Sequence, residues 1–172
     1  MYVKIIKVTL LLLSLGNVVW AQEANIDEPI HLSSDRLDVD EAMGQSIYRG
    51  NVLFRQGSTK LWADQLVLKS EGFDALERIV ATGKPARFEF VSAAEDLTQG
   101  QAQKLIYLSQ KGVLILEGEA SLNQAGNQFS SHRIQYDNVR RTVQASKGQD
   151  DQQRVNVVIQ PKPNTATEID QP

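Results

Sequence analysis

The sequence predicts an all-β protein, and three observations carry that prediction. Apolar and polar residues alternate at period two in eight short runs: HLSSDRLDV, SIYRGNVLF, KLWADQLVL, ARFEFV, KLIYL, VLILEGEASL, RIQY and RVNVVI. Each run is bounded by Gly, Asn, Ser or Lys-Pro, the signature of half-buried strands joined by tight turns. A short strand motif then recurs along the chain, and no long helical periodicity follows Ala21. Two polar stretches, 93–103 and 147–153, are predicted as surface loops. The segment from Pro161 (PKPNTATEIDQP) has too little apolar content to pack and is predicted to be disordered.

The recurrence has a fixed offset. Moved by 68 residues, YRGNVLFRQGSTKLWADQLVLKS (48–70) lies on LEGEASLNQAGNQFSSHRIQYDN (116–138) without a gap. Gly50 meets Gly118, Val52 meets Ala120, Phe54 meets Leu122, Leu61 meets Phe129, Leu66 meets Ile134 and Leu68 meets Tyr136. A half-unit begins at Asp35 (DRLDV), Asp64 (DQLVL), Gln103 (QKLIYL) and His132 (HRIQY), with its first apolar residue at Leu37, Leu66, Leu105 and Ile134. A glycine follows each: Gly50, Gly83, Gly118 and Gly148. Repeats of this kind imply a stacked architecture in which each unit buries its apolar face against its neighbours. Glycine at such sites fits a bulge or corner where a strand bends between layers. Two facing sheets of short strands would leave two open ends. Ile30, His31 and Leu32 near one end, and Val155, Val157 and Ile159 near the other, are largely uncharged. Soluble proteins usually blunt such edges, so both read as edges meant to pair with another chain.

Ahead of the domain, Lys4 and Lys7 precede the apolar stretch 8–15, which is too short to span a bilayer. Val19-Trp20-Ala21 supplies an acceptable cleavage context, so residues 1–21 are predicted to be a cleaved signal peptide and the mature protein to be periplasmic. The alternative is an uncleaved N-terminal anchor. The remaining chain divides into a flexible segment 22–28, one β domain 29–160 and the tail 161–172. With Lys4 and Lys7 removed, 16 basic residues face 21 acidic ones, a net of −5. No basic face is built, which argues against a nucleic-acid partner. The absence of cysteine excludes disulfides, a thiol nucleophile and thiolate metal sites.

No catalytic constellation or cofactor motif is found, and the chain is read as a non-enzyme. His31 and His132 are isolated, with no HxxxH or HxH spacing. The acidic run Asp35, Asp38, Asp40 and Glu41 lacks the D-x-D-x-D-G order and the later bidentate Glu of a calcium loop. Ser58-Thr59-Lys60 echoes the end of a phosphate loop without its glycine-rich turn or helix.

The segments PIHLSSD (29–35), YRGNVLFRQGSTKLWADQLVL (48–68) and GKPARFEF (83–90) resemble the LptA/OstA-like family of periplasmic lipopolysaccharide-transport proteins. The resemblance spans about residues 28–159. It implies an elongated β-jellyroll, a "β-taco" of about sixteen short antiparallel strands, open along one side around an apolar groove. It also implies lipopolysaccharide (lipid A) as cargo, head-to-tail self-association, and LptC-like and LptD-like jellyroll domains as end partners. Transferred by motif, the family's groove position falls on Phe88, with Ile30 and Leu32 supplied by the strand after Pro29. Strand parity adds Leu37, Val39, Val52, Phe54, Leu66, Leu68, Phe90, Leu105, Tyr107, Ala120, Leu122, Ile134 and Tyr136 as candidate lining residues. The second repeat departs from the pattern, with Ser131-His132 in place of Ala63-Asp64 and Glu119 in place of Asn51. Alternatives are a scaffold with a dry, filled core, an LptC-like relative if the leader stays attached and, third, an enzyme on a β-scaffold.

Overall fold

A computed structural model describes residues 28–71, 75–91, 96–148 and 154–161. The proposed leader, its cleavage site and the tail from 162 lie outside these residues. Ten antiparallel strands form one sheet: β1 His31–Ser33, β2 Arg36–Asp40, β3 Gln45–Gln56, β4 Thr59–Glu71, β5 Ala75–Val91, β6 Leu97–Leu108, β7 Val113–Gln124, β8 Asn127–Asp137, β9 Thr142–Ser146 and β10 Asn156–Val158. Strands β3 to β8 pair in sequence order; β1 and β2 share the outer edge of β3, while β9 and β10 share the outer edge of β8. The sheet does not close, so β1/β2 form one edge and β9/β10 the other.

The expected strand count was about sixteen; ten are present among the described residues. The difference comes from one bend line. Register shifts fall at Gly50-Asn51 of β3, Ala63-Asp64 of β4, Gly83-Lys84-Pro85 of β5, Ala102-Gln103 of β6 and Gly118-Glu119 of β7, opposite His132 of β8. Bulges bend a strand without ending it, so β3 to β8 run through the line, each supplying two half-strands. Only the outermost strands break there, into β1/β2 and β9/β10. Residues that read as boundaries in the sequence are bends inside long strands.

The 68-residue offset is thereby explained. It carries β3 onto β7 and β4 onto β8. It also carries β6 onto the β1/β2 pair and β5 onto β9/β10. Each repeat is a four-strand unit whose exposed strand is the one that breaks. At the bend, Gly50 and Asn51 both have positive φ (75° and 46°), as do Gly118 and Glu119 (78° and 50°). A Cβ on Gly118 would sit 2.6 Å from Gln103 Oε1, and the Asp35 carboxylate occupies the same place over Gly50. Asp35 and Gln103 are themselves 68 residues apart, so the repeat preserves the packing as well as the pattern. Gly148 does not share this role; it follows β9. The β7–β8 turn at Ala125-Gly126 has positive φ at both residues (49° and 83°), the type I′ geometry that matches strand twist.

The stretch 93–103 was expected as a loop, but β6 begins at Leu97. Its inward positions are Thr98, Gly100 and Ala102. Gly100 and Ala102 are weak strand formers, yet the backbone of this stretch is paired on both sides, to β5 and to β7. Tertiary pairing overrides propensity here. Of the other expected loop, residues 147 and 148 lie outside any strand and 149–153 are outside the described residues.

Candidate functional site

The site is the inward face of the bent sheet, and it is built from cross-strand rows. On the half bearing β2 and β9, one row runs Leu37, Tyr48, Leu66, Ala81, Leu105, Leu116, Ile134, Ala145. The next runs Val39, Ser46, Leu68, Ile79, Tyr107, Leu114, Tyr136, Val143. On the half bearing β1 and β10, a third runs Leu32, Phe54, Leu61, Phe88, Gly100, Leu122, Phe129, Val157. The four half-unit residues found in the sequence, Leu37, Leu66, Leu105 and Ile134, therefore stand in one row on alternate strands. Between the halves, along the bend, small side chains predominate: Ala63, Ala86, Ala102, Ala120 and Ser131. Small residues there let the two halves approach at the fold line.

The halves face each other. Phe90, beyond Phe88 on one half, meets Tyr136 on the other at a ring-centroid distance of 6.2 Å. Gln124 Nε2 donates to the Tyr136 hydroxyl across the same opening, at 3.1 Å. Phe88 stacks on Phe90 (6.2 Å, 18°) and covers Gly100, where an added Cβ would lie 2.7 Å from its Cε1. The result is one contiguous apolar cluster drawn from both halves. Tyr107 borders this cluster, and burial pushes its phenol pKa up, favouring the neutral form.

Among the candidate lining residues, Val52, Phe54, Leu66, Phe88, Leu105, Ala120, Leu122, Ile134 and Tyr136 are buried in the cluster. Leu32, Leu68, Phe90 and Tyr107 pack against it half-buried. Leu37 and Val39 occupy the inward rows but, at the open edge, remain 50% and 58% exposed. Ile30 precedes β1 and is exposed. Of the candidate edge residues, His31 and Leu32 lie in β1 and Val157 in β10, while Val155 and Ile159 flank β10 and are exposed.

Sequence reasoning missed Leu61, Ile79, Ala81, Leu114 and Leu116 as members of the same cluster. Leu61 was already matched to Phe129 in the repeat, a signal left unused. In VLIL (113–116) both faces are apolar, so parity gives no phase; the register with β6 sets Leu114 and Leu116 inward. The acidic run has structural partners. Asp35 Oδ2 accepts from Asn51 Nδ2 (2.9 Å) and Asp40 Oδ1 from the Met43 amide (3.0 Å). Asp38 pairs with Arg36 (3.0 Å) and Arg49, and the hydrogen bond from Arg36 leads the causes that lower its pKa.

A family model described as "LptA/(LptD N-terminal domain) LPS transport protein" matches residues 31–142. The chain belongs to this family. The lipopolysaccharide export system protein LptH of Pseudomonas aeruginosa is 31% identical over 153 residues, covering 86% of this chain and 87% of that protein. LptA of Escherichia coli K12 is 28% identical over 151 residues, covering 87% and 80%. The crystal structure of LptH, the LptA-homologous periplasmic component of the Pseudomonas aeruginosa lipopolysaccharide transport device, superposes with a TM-score of 0.72. That match has 31% identity over 80% of this chain and 99% of that one. The unclosed, bent sheet is the family's β-jellyroll.

Proposed function

We propose that this protein is a periplasmic component of lipopolysaccharide export that shelters lipid A acyl chains between its two half-sheets on the way to the outer membrane. The observation that carries the reading is the continuity of the three apolar rows from one open edge of the sheet to the other. Exposing a methylene to water costs about 0.8 kcal/mol, so a chain of a dozen carbons costs on the order of 10 kcal/mol, and lipid A carries several. A surface that continues across every strand offsets that cost at each step, while sugars and phosphates face water at the opening. No covalent chemistry is required.

The same rows support an edge-to-edge joining of copies. In it β9 would lie antiparallel to β2 of a following copy, and β10 antiparallel to its β1. Ala145 would then stand beside the partner's Leu37, Val143 beside the partner's Val39, and Val157 beside the partner's Leu32. Residues half-exposed in the single chain would then be covered, by strand addition at both edges. LptC-like and LptD-like jellyroll domains would dock at the two ends in the same way; the family description itself groups LptA with the LptD N-terminal domain.

A filled-core scaffold is the second reading. It is favoured by the contacts of Phe90 and Gln124 with Tyr136, which draw the halves together. Photo-crosslinking amino acids at Phe88 and Tyr107, with outward-facing Trp62 as control, separate the two in cells. Capture of lipopolysaccharide from the two inward positions and not from Trp62 is expected; equal or absent capture from a folded protein favours the scaffold.

A further inference from the structure

Apart from Ser46 and Ser131, whose hydroxyl donates to the Ser146 carbonyl, the polar side chains of the inward rows gather at one place. Beyond Phe88, Gly100 and Leu122, the next row of the β1/β10 half reads Phe90, Thr98, Gln124, Asn127. Thr98 is fully buried, at 0% exposure, and its Oγ1 has no hydrogen-bond partner; it is the one such side-chain atom among the described residues. A buried hydroxyl without a partner is costly and calls for an explanation. On β6 the next two inward positions are Gly100 and Ala102, and valine, with nearly the same shape, would fill the Thr98 position without a hydroxyl. Its cross-strand neighbours show where it sits. Phe90 on one side touches the Tyr136 ring, and Gln124 on the other donates to the Tyr136 hydroxyl. Having accepted from Gln124, that hydroxyl keeps its own proton to donate. Thr98, Gln124 and Tyr136 thus make a small, mostly buried polar group at the margin of a largely apolar interior, beside the start of β6 and the end of β7.

An amphiphile whose chain lies along the rows has its ester or amide linkage at that depth, where hydrocarbon ends and headgroup begins. Resting on the reading of the interior as an acyl groove, we propose that Thr98 Oγ1, assisted by the Tyr136 hydroxyl, donates to the linkage carbonyl of a bound acyl chain. The site therefore recognises acyl-linked amphiphiles over plain alkyl ones. The fold leaves the Thr98 hydroxyl unpaired because its partner belongs to the cargo. Selectivity follows because an ether oxygen is a poorer acceptor than an amide carbonyl.

The test uses the purified mature protein, the variant Thr98→Val, and two probes matched in chain and position: N-dodecanoyl glucosamine, amide-linked at C2, and 2-O-dodecyl glucose, ether-linked at C2. Wild type is expected to prefer the amide. In Thr98→Val the amide should weaken roughly 3- to 10-fold, the range of one hydrogen bond, while the ether is unchanged. The melting temperature of the free variant should equal or exceed that of wild type, because an unpaired hydroxyl has been removed; a purely structural hydroxyl would lower it. Unchanged amide affinity in Thr98→Val, or a fall in melting temperature, overturns the assignment while leaving the acyl groove standing. Failure of folded wild type to bind either probe overturns the groove reading and this proposal with it.

Discussion

Replacing Gly100 by alanine should destabilise the protein, although general rules point the other way. Gly100 has no positive φ that would require glycine, and in a strand or a loop of ordinary geometry Gly→Ala stabilises by about 0.4–1 kcal/mol through the unfolded chain. Here the added methyl would stand 2.6 Å from the Ser121 carbonyl oxygen and 2.7 Å from Cε1 of Phe88. The carbonyl belongs to the paired backbone of β7 and cannot yield freely, so the Phe88 ring must shift. Phe88 is only 5% exposed and stacked on Phe90, so that movement disturbs a packed row. Overpacking of this kind costs about 1–3 kcal/mol. Net of the entropic gain, a loss of about 1–2 kcal/mol is expected, equivalent to a fall in melting temperature of roughly 2–8 °C for a chain of this size. Urea unfolding of wild type, Gly100→Ala, Phe88→Leu and the double variant forms the assay. The Gly100→Ala penalty should shrink in the Phe88→Leu background, because the smaller side chain leaves room. A neutral or stabilising Gly100→Ala refutes the placement of Phe88 over Gly100 and returns this stretch to the loop that its composition suggests.

Other outcomes are equally definite. Leu105→Ala, at the centre of a row and 1% exposed, should lower the urea-derived stability by about 2–5 kcal/mol; a loss under 1 kcal/mol would mean that the row is not packed. Tyr136→Phe removes the acceptor for Gln124 and should cost about 0.5–1.5 kcal/mol, while the ring contact with Phe90 persists. Val157→Lys should abolish concentration-dependent association in light scattering and leave the melting temperature of the single chain nearly unchanged, since Val157 is 48% exposed. Asp38 titrates below its ordinary 3.8 because Arg36 bonds its carboxylate, with Arg49 adding to the effect. Its contribution is therefore whole above pH 3.8 and lost as pH falls through the lowered value. The difference in melting temperature between wild type and Asp38→Asn should shrink below that pH; a constant difference would contradict the assignment.

Much of this architecture was legible because a bent sheet with one buried face leaves a period-two record. The half-units at Asp35, Asp64, Gln103 and His132 all start at the bend, and their first apolar residues stand in one row. What misled was the bend itself. Gly50, Gly83 and Gly118 punctuate the sequence as turns do, yet backbone pairing continues on both sides of them. The missed start of β6 has a related cause: Thr98, Gly100 and Ala102 carry little apolar signal, and the Phe88 ring of the neighbouring strand fills the space above Gly100. Such a compensation is invisible along one strand and plain across two. Leu37 and Val39 align with Tyr48 and Ser46 in the cross-strand rows, but their exposure depends on where the sheet ends. That is a property of the whole sheet rather than of the local sequence.

The central claim, that acyl chains occupy the space between the half-sheets, is tested most directly by methyl NMR of the purified protein with lipid A carrying a spin label on an acyl chain. Broadening of the Leu66, Leu105, Leu116 and Leu122 methyls, with outward-facing Leu53 and Ile115 unaffected, is the predicted result. Broadening confined to Leu53 and Ile115, or no broadening at saturating lipid, would place the chains outside the fold and contradict the account.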